Sequence, residues 1–258
     1  MIYPVHENVR HVKKTTQLRC MKTRCLDFGN SRLKAADFSN GIFESETFFA
    51  DFAELDAFLQ KHPSERSILS SVLDLDEQTL ELLKKHGVHL LGSGSQLNFK
   101  IAVQKKETVG SDRLALMASA AHQYPNQYVL VIALGTCITY NLLDATGKFL
   151  GGSISPGLQM RFRALHEQTA KLPLVEDDWN IPAVGYDTNT NLQTGVIMGI
   201  SHEIDGFIEW YRNRYPDINL VLTGGNCLHF AGRLKNRIFA DPNFLYQGLY
   251  VLSQLNPA

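Results

Sequence analysis

Three short segments join glycine to hydroxyl, amide or carboxylate groups at the end of an apolar run: Asp27-Phe28-Gly29-Asn30-Ser31, Gly135-Thr136-Cys137-Ile138-Thr139 and Thr223-Gly224-Gly225. Glycine lets backbone N–H groups approach a phosphate closely, and Ser and Thr add hydroxyl donors. Asp27, at the end of the first run, suits Mg2+, which prefers carboxylate, phosphate and water oxygens. One such turn is most often only a turn. Three in this order point to a nucleotide's phosphates. Lys34, seven residues past Asp27, is a further phosphate candidate, although a strand-face lysine is more often solvated. Asp112-Arg113 opens an Ala- and Leu-rich segment, where an Asp stabilises the free N–H groups and dipole of a helix start.

Other chemistries find no support. The nine histidines form no HExxH or HxxxH pair, so a zinc site is not expected. There is no GxxxxGK[ST], and Gly92-Ser93-Gly94-Ser95-Gln96-Leu97 lacks the third glycine of a dinucleotide fingerprint and reads as a loop. Cys137 reads as a small buried residue rather than a redox centre. Four cysteines without a CxxC pair suit reduced thiols and a cytoplasmic setting. A formal net charge of -1 gives no basic surface for nucleic acid or an anionic membrane, and no apolar run reaches transmembrane length.

The elements that must position these turns follow from periodicity. Residues 1–20 carry no steady period and lean basic, and read as a disordered leader. Strands are expected at 21–27, 32–37 and 41–49, with Asn40-Gly41 as a hairpin turn. A helix at 51–61, a strand at 67–72, a helix at 76–86 stopped by Gly87, a strand at 88–91 and a helix at 111–122 complete this half. The second half restarts the same grammar, with strands at 128–134, 138–143 and 148–154, helices at 157–168 and 189–213, a strand at 218–222 and a helix at 243–254. The expectation is a duplicated α/β chain with a cleft between domains 21–125 and 126–258.

At these residues the sequence resembles a known family. Asp27-Phe28-Gly29-Asn30-Ser31 is similar to the DxGN[T/S] phosphate motif of the actin-like ATPase superfamily. Gly110-Ser111-Asp112-Arg113, Gly135-Thr136-Cys137-Ile138-Thr139, Gly151 to Gly157 (GGSISPG), Thr169 to Pro173 (TAKLP), Gly185-Tyr186-Asp187-Thr188 and Thr223-Gly224-Gly225 resemble the motifs of type III pantothenate kinase, in order from about residue 21 to the C-terminus. The resemblance implies two actin-like (ribonuclease H-like) α/β domains with an ATP cleft between them, and ATP-dependent phosphorylation of the pantothenate 4′-hydroxyl, the first step of coenzyme A synthesis. It implies that Asp112 is the catalytic base and that Asp27 holds Mg2+, directly or through water. It also implies that Asp27, Gly29, Asn30, Ser31, Gly135, Thr136 and Thr139 cradle the ATP phosphates, with Gly224 and Gly225 against the adenosine. Gly110, Ser111 and Arg113 fall on the substrate, an Arg fork suiting its carboxylate. Thr188 would act across the interface of a homodimer.

The chain departs from the family at several positions. The family usually has an Asp just before the GT pair, tied to binding potassium or ammonium, where this chain has Leu134. A second frequent Asp is Asn141 here, and the Tyr and Pro expected upstream of Asp112 correspond to Val103 and Lys106. These departures keep alive a weakened family member that serves as an accessory binding protein. Another actin-like small-molecule kinase is a further alternative.

Overall fold

The computed structural model describes residues 21–30 and 32–257. The expected leader at 1–20 and the phosphate contact expected of Ser31 lie outside the described residues. A first sheet is built from β1 (Lys22–Phe28), β2 (Leu33–Ser39), β3 (Ile42–Phe49), β4 (Arg66–Ser71) and β5 (Val88–Leu90), in the order β3-β2-β1-β4-β5. β1 pairs antiparallel with β2, and β2 with β3. β4 runs parallel to β1, and β5 to β4. Asn40 and Gly41 both take positive φ (50° and 87°), as a two-residue hairpin turn of that hand requires.

The second sheet repeats this order. β7 (Val129–Leu134), β8 (Cys137–Leu143), β9 (Lys148–Pro156), β10 (Asn219–Gly224) and β11 (Phe239–Ala240) run β11-β10-β7-β8-β9, with the same parallel and antiparallel senses. This duplicated topology is the expected two-domain actin-like fold. Two short elements escape periodicity altogether. β6 (Lys100–Ile101) adds to the free edge of β9, and β11 lies at the other edge.

Helices fill three layers around the two sheets. α1 (Phe52–Lys61) and α2 (Glu77–Lys85) start at Asp51 and Asp76, whose carboxylates accept from Glu54 N (2.9 Å) and Thr79 N (2.8 Å). They cover the outer face of the first sheet, where Leu26, Phe28, Leu55, Leu59 and Leu69 form one core. α4 (Leu158–Glu167), α5 (Thr188–Arg214) and α6 (Cys227–Ala231) cover the outer face of the second. Between the sheets lie α3 (Ser111–Gln123) and α7 (Phe244–Leu255), in a core that joins Cys25, Ala36 and Ile68 of the first sheet to Val129, Val131 and Phe149 of the second. A Cβ on Gly248 would stand 1.8 Å from the Ala115 carbonyl oxygen, so only glycine lets these two helices come this close. The two sheets also trade elements across residue 125. β6 precedes it yet joins the second sheet, whereas α7 comes from the chain's end and packs on β1 and β4.

Candidate active site

Asp27 is next to last in β1 and faces Lys34 of β2 in register, its carboxylate 3.7 Å from the Lys34 ammonium. Burial pushes the Asp27 carboxyl up to about 6; Lys34 pulls it down, and the charges of Asp112 and Glu46 push it further up. An acidic group has therefore gathered at the end of the first sheet. Tyr246 of α7 donates to Glu46 at 2.7 Å, closing this side of the group from a position 200 residues away in sequence. No local pattern could have linked the two.

Asp112 and Arg113 occupy the first turn of α3 and reach opposite ways. Asp112 acts electrostatically on Asp27, and its own carboxyl is raised by burial, against the Arg113 backbone N–H and guanidinium. Arg113 Nε donates to Asn141 Oδ1 on β8 at 2.6 Å, and its guanidinium lies 5.2 Å from the Phe149 ring centre on β9. The helix start thus joins the two halves of the molecule. Gly110 is the cap, and a Cβ there would lie 2.5 Å from the Asp112 carboxylate. The Ser111 hydroxyl donates to the Ser71 carbonyl (2.9 Å) and meets the Ser70 hydroxyl (3.0 Å), tying α3 to the end of β4. Its hydroxyl is engaged within the protein.

The other two turns stand side by side. Gly224 ends β10 opposite Leu134, and a Cβ on it would approach the Leu134 carbonyl oxygen to 2.4 Å. Gly224 also takes φ +95°, so both space and backbone demand glycine. Gly135, Thr136 and Gly225 are exposed beside it, while the Gly157 N–H closes on the Thr136 carbonyl (3.0 Å). Gly29 accepts no strain; its N–H bonds the Arg32 carbonyl at 3.1 Å, and Asn30 is exposed. All three turns therefore lie at the carboxyl ends of parallel strands, where open α/β sheets form their ligand crevices.

Two expected residues stand apart from this group. Thr139 is buried, with its hydroxyl accepting from Asn141 Nδ2 at 3.0 Å. Thr188 is exposed at the start of α5, whose cap is a reciprocal pair between Asp187 and Thr190. It lines an open groove of about 720 Å3 with Arg161, Leu165, Leu172, Asn191 and Val196, and none of the contacts around Asp27 and Asp112 includes it. The segment leading to it is held by Trp179, stacked on His229 of α6 at 4.4 Å and bonded through its carbonyl by Arg233. Lys34, the phosphate candidate, faces the group as described.

A divalent cation fits these residues. Asp27 offers one carboxylate in an acidic surrounding, and no group of three His, Cys, Asp or Glu among the described residues makes an all-protein cage. Mg2+ bound with a nucleotide asks for no more, since phosphate and water oxygens supply the remaining ligands. A monovalent cation at the end of β7 does not fit, because Leu134 is buried in the apolar core beside α5 and brings no oxygen from its side chain. Val103 packs into the central core, and Lys106 is exposed in a single helical turn at 106–108.

Comparison with known proteins identifies the family. A family model described as type III pantothenate kinase matches residues 25–210. A type III pantothenate kinase of Christiangramia forsetii is 40% identical over 90% of this chain and 97% of its own. One from Bacteroides fragilis is 37% identical over 87% and 94%. A solved structure of a conserved Baf family protein from Campylobacter jejuni superposes with a TM-score of 0.60 at 20% identity, covering 91% of this chain and 98% of its own, which speaks to the fold. With the family match spanning most of its length and relatives of this identity and coverage, the chain belongs to the type III pantothenate kinase family.

Proposed function

We propose that the chain transfers the γ-phosphoryl group of ATP to the 4′-hydroxyl of pantothenate, opening coenzyme A synthesis, with Asp112 as the base. The observation that carries this is the α3 start, where Asp112 looks to Asp27 and Arg113 to β8. A carboxyl raised by burial is a stronger base than an ordinary aspartate, so Asp112 is suited to accept the hydroxyl proton as transfer proceeds. Arg113 would hold the substrate carboxylate and so fix the hydroxyl's reach. The exposed Gly135, Thr136 and Gly225, with Asn30 and Gly29, would offer N–H and hydroxyl donors to the phosphates, and Lys34 a cation. Such chemistry is chiefly positioning and charge stabilisation. Mg2+ arriving with ATP would be held by Asp27 and would offset phosphate charge.

The substrate site would be completed in a homodimer. Thr188 stands apart from Asp112, and the same half exposes Ile154, Met160, Met198 and Trp210, of which Trp210 lines a second open groove of about 580 Å3. Large apolar side chains exposed in this number suit a protein partner. ATP and pantothenate are the small-molecule partners, in the cytoplasm, with neither nucleic acid nor membrane. No described helix is long and apolar enough to cross a membrane.

The test is ADP release with ATP, Mg2+ and pantothenate, with and without potassium or ammonium. Turnover that needs pantothenate is expected, unchanged by the monovalent salt because Leu134 supplies no carboxylate. A folded dimer that releases no ADP under any salt would leave the accessory-protein reading instead.

A further inference from the structure

Glycine serves different ends in this fold. At Gly152, Gly157, Gly224 and Gly248 a Cβ would stand between 1.8 and 2.4 Å from a backbone carbonyl oxygen, so the close packing of the chain itself excludes a side chain. Gly110 is unlike them. Its φ of −57° and ψ of 141° are open to any L residue, so its backbone does not ask for glycine. The atom that a Cβ would meet is Asp112 Oδ1, at 2.5 Å, followed by Asp112 Cγ at 3.7 Å. Apart from its chain neighbours, no other atom of the described residues lies within 4 Å of that position. The side chain missing at 110 is missing in favour of one carboxylate.

That carboxylate is folded back over the start of α3, where Oδ1 accepts from the Arg113 backbone N–H at 2.8 Å. Carbon and oxygen without a hydrogen bond settle about 3.5 Å apart, so a Cβ at 110 would drive Oδ1 away by roughly 1 Å. The helix itself would stay. The Ser111 hydroxyl donates to the Ser71 carbonyl and meets the fully buried Ser70 hydroxyl, and Ser70 pairs in register with Asp27. With α3 fixed in this way to the strand beside Asp27, the short side chain of Asp112 is the part that gives.

We propose that Gly110 is a positioning residue for the transfer step: by carrying no side chain it lets the Asp112 carboxylate lie back against the helix start, in the place from which it takes the proton of the substrate hydroxyl. In that step the hydroxyl oxygen bonds the γ-phosphorus, its proton passes to Asp112, and the bond to ADP breaks. The inference rests on the reading of Asp112 as the base and deepens it. Gly110, which the resemblance set at the substrate, acts through Asp112 and touches no reacting atom.

The experiment uses the full chain with ATP, Mg2+ and pantothenate. In Gly110→Ala kcat is expected to fall about 10–10²-fold, the cost of misplacing a catalytic group by about 1 Å. Both KM values should stay within about twofold of wild type, and the thermal midpoint within about 3 °C. In an Asp112→Asn background the same change should cost less than about twofold more, because the group it acts through is already gone. A kcat for Gly110→Ala within about twofold of wild type would overturn the proposal. So would a raised pantothenate KM at unchanged kcat, which would put Gly110 against the substrate. A full further loss in the Asp112→Asn background, the mark of a merely structural residue, would do the same. Should Gly110→Ala not fold, Gly110→Ala joined to Asp112→Ala decides: a restored fold supports the contact with the carboxylate, and a fold still lost overturns it. Wild-type protein without pantothenate turnover, or Asp112→Asn at full rate, would instead remove the underlying reading and the inference with it, so the two failures are distinguishable.

Discussion

At the scale of the residue, two carboxyls are raised by burial, and the consequences differ. Asp112→Asn keeps shape and removes the proton acceptor, so kcat should fall about 10²–10⁴-fold, the usual worth of a positioned base, measured by ADP release. Unchanged turnover would remove Asp112 from the chemistry. Asp27 is pushed up to about 6 from an ordinary 3.8, so the folded protein binds more protons than the unfolded chain between those values. Stability then falls as pH rises through this window, because folding disfavours the ionised form. Without Mg2+ and nucleotide, Asp27→Asn should be the more stable protein at pH 8, by on the order of 2–3 kcal/mol, and the gain should vanish near pH 4. Urea denaturation at the two pH values reads this directly, and a gain that persists at pH 4 would assign it to another cause. The same variant should lose activity, which separates stability from function at one position.

At the scale of the element, α3 carries the Asp112-Arg113 pair, and α7 packs against it. The Gly248 contact with Ala115 makes their spacing unusually tight. Gly248→Ala gains helix propensity but overpacks a backbone contact, and the steric term wins. A loss of about 1–3 kcal/mol is expected, read as a lower thermal midpoint, and a stabilised variant would contradict the helix packing described. Most elements were legible in the sequence because their apolar spacing is regular: β1 to β4, α1, α2 and α5 fall within a few residues of the periodic expectation. β6, β11 and α6 were not, since two to five residues are too few to show a period and tertiary pairing alone makes them. The three glycine turns were legible as turns at strand ends. Thr139 was not, because the buried amide that takes its hydroxyl stands two residues on in the same strand, turned to the same face.

At the scale of the whole molecule, the exposed apolar surface of the second half and the separation of Thr188 from Asp112 bear on assembly. Sedimentation should give twice the mass of one chain, and Trp210→Glu should return the monomer with a raised KM for pantothenate; a monomeric wild type would remove the shared site. The sequence by itself determined the two α/β halves, the three glycine turns and the Asp112-Arg113 pair, because these rest on local periodicity and on residue chemistry at short spacing. Only the tertiary structure decided that α7 and α3 share one core between the sheets, that Tyr246 closes on Glu46, and that Arg113 is held by neutral Asn141. Each of these joins residues far apart in the chain, and no local pattern records a contact that exists only once two separate surfaces have been buried against each other.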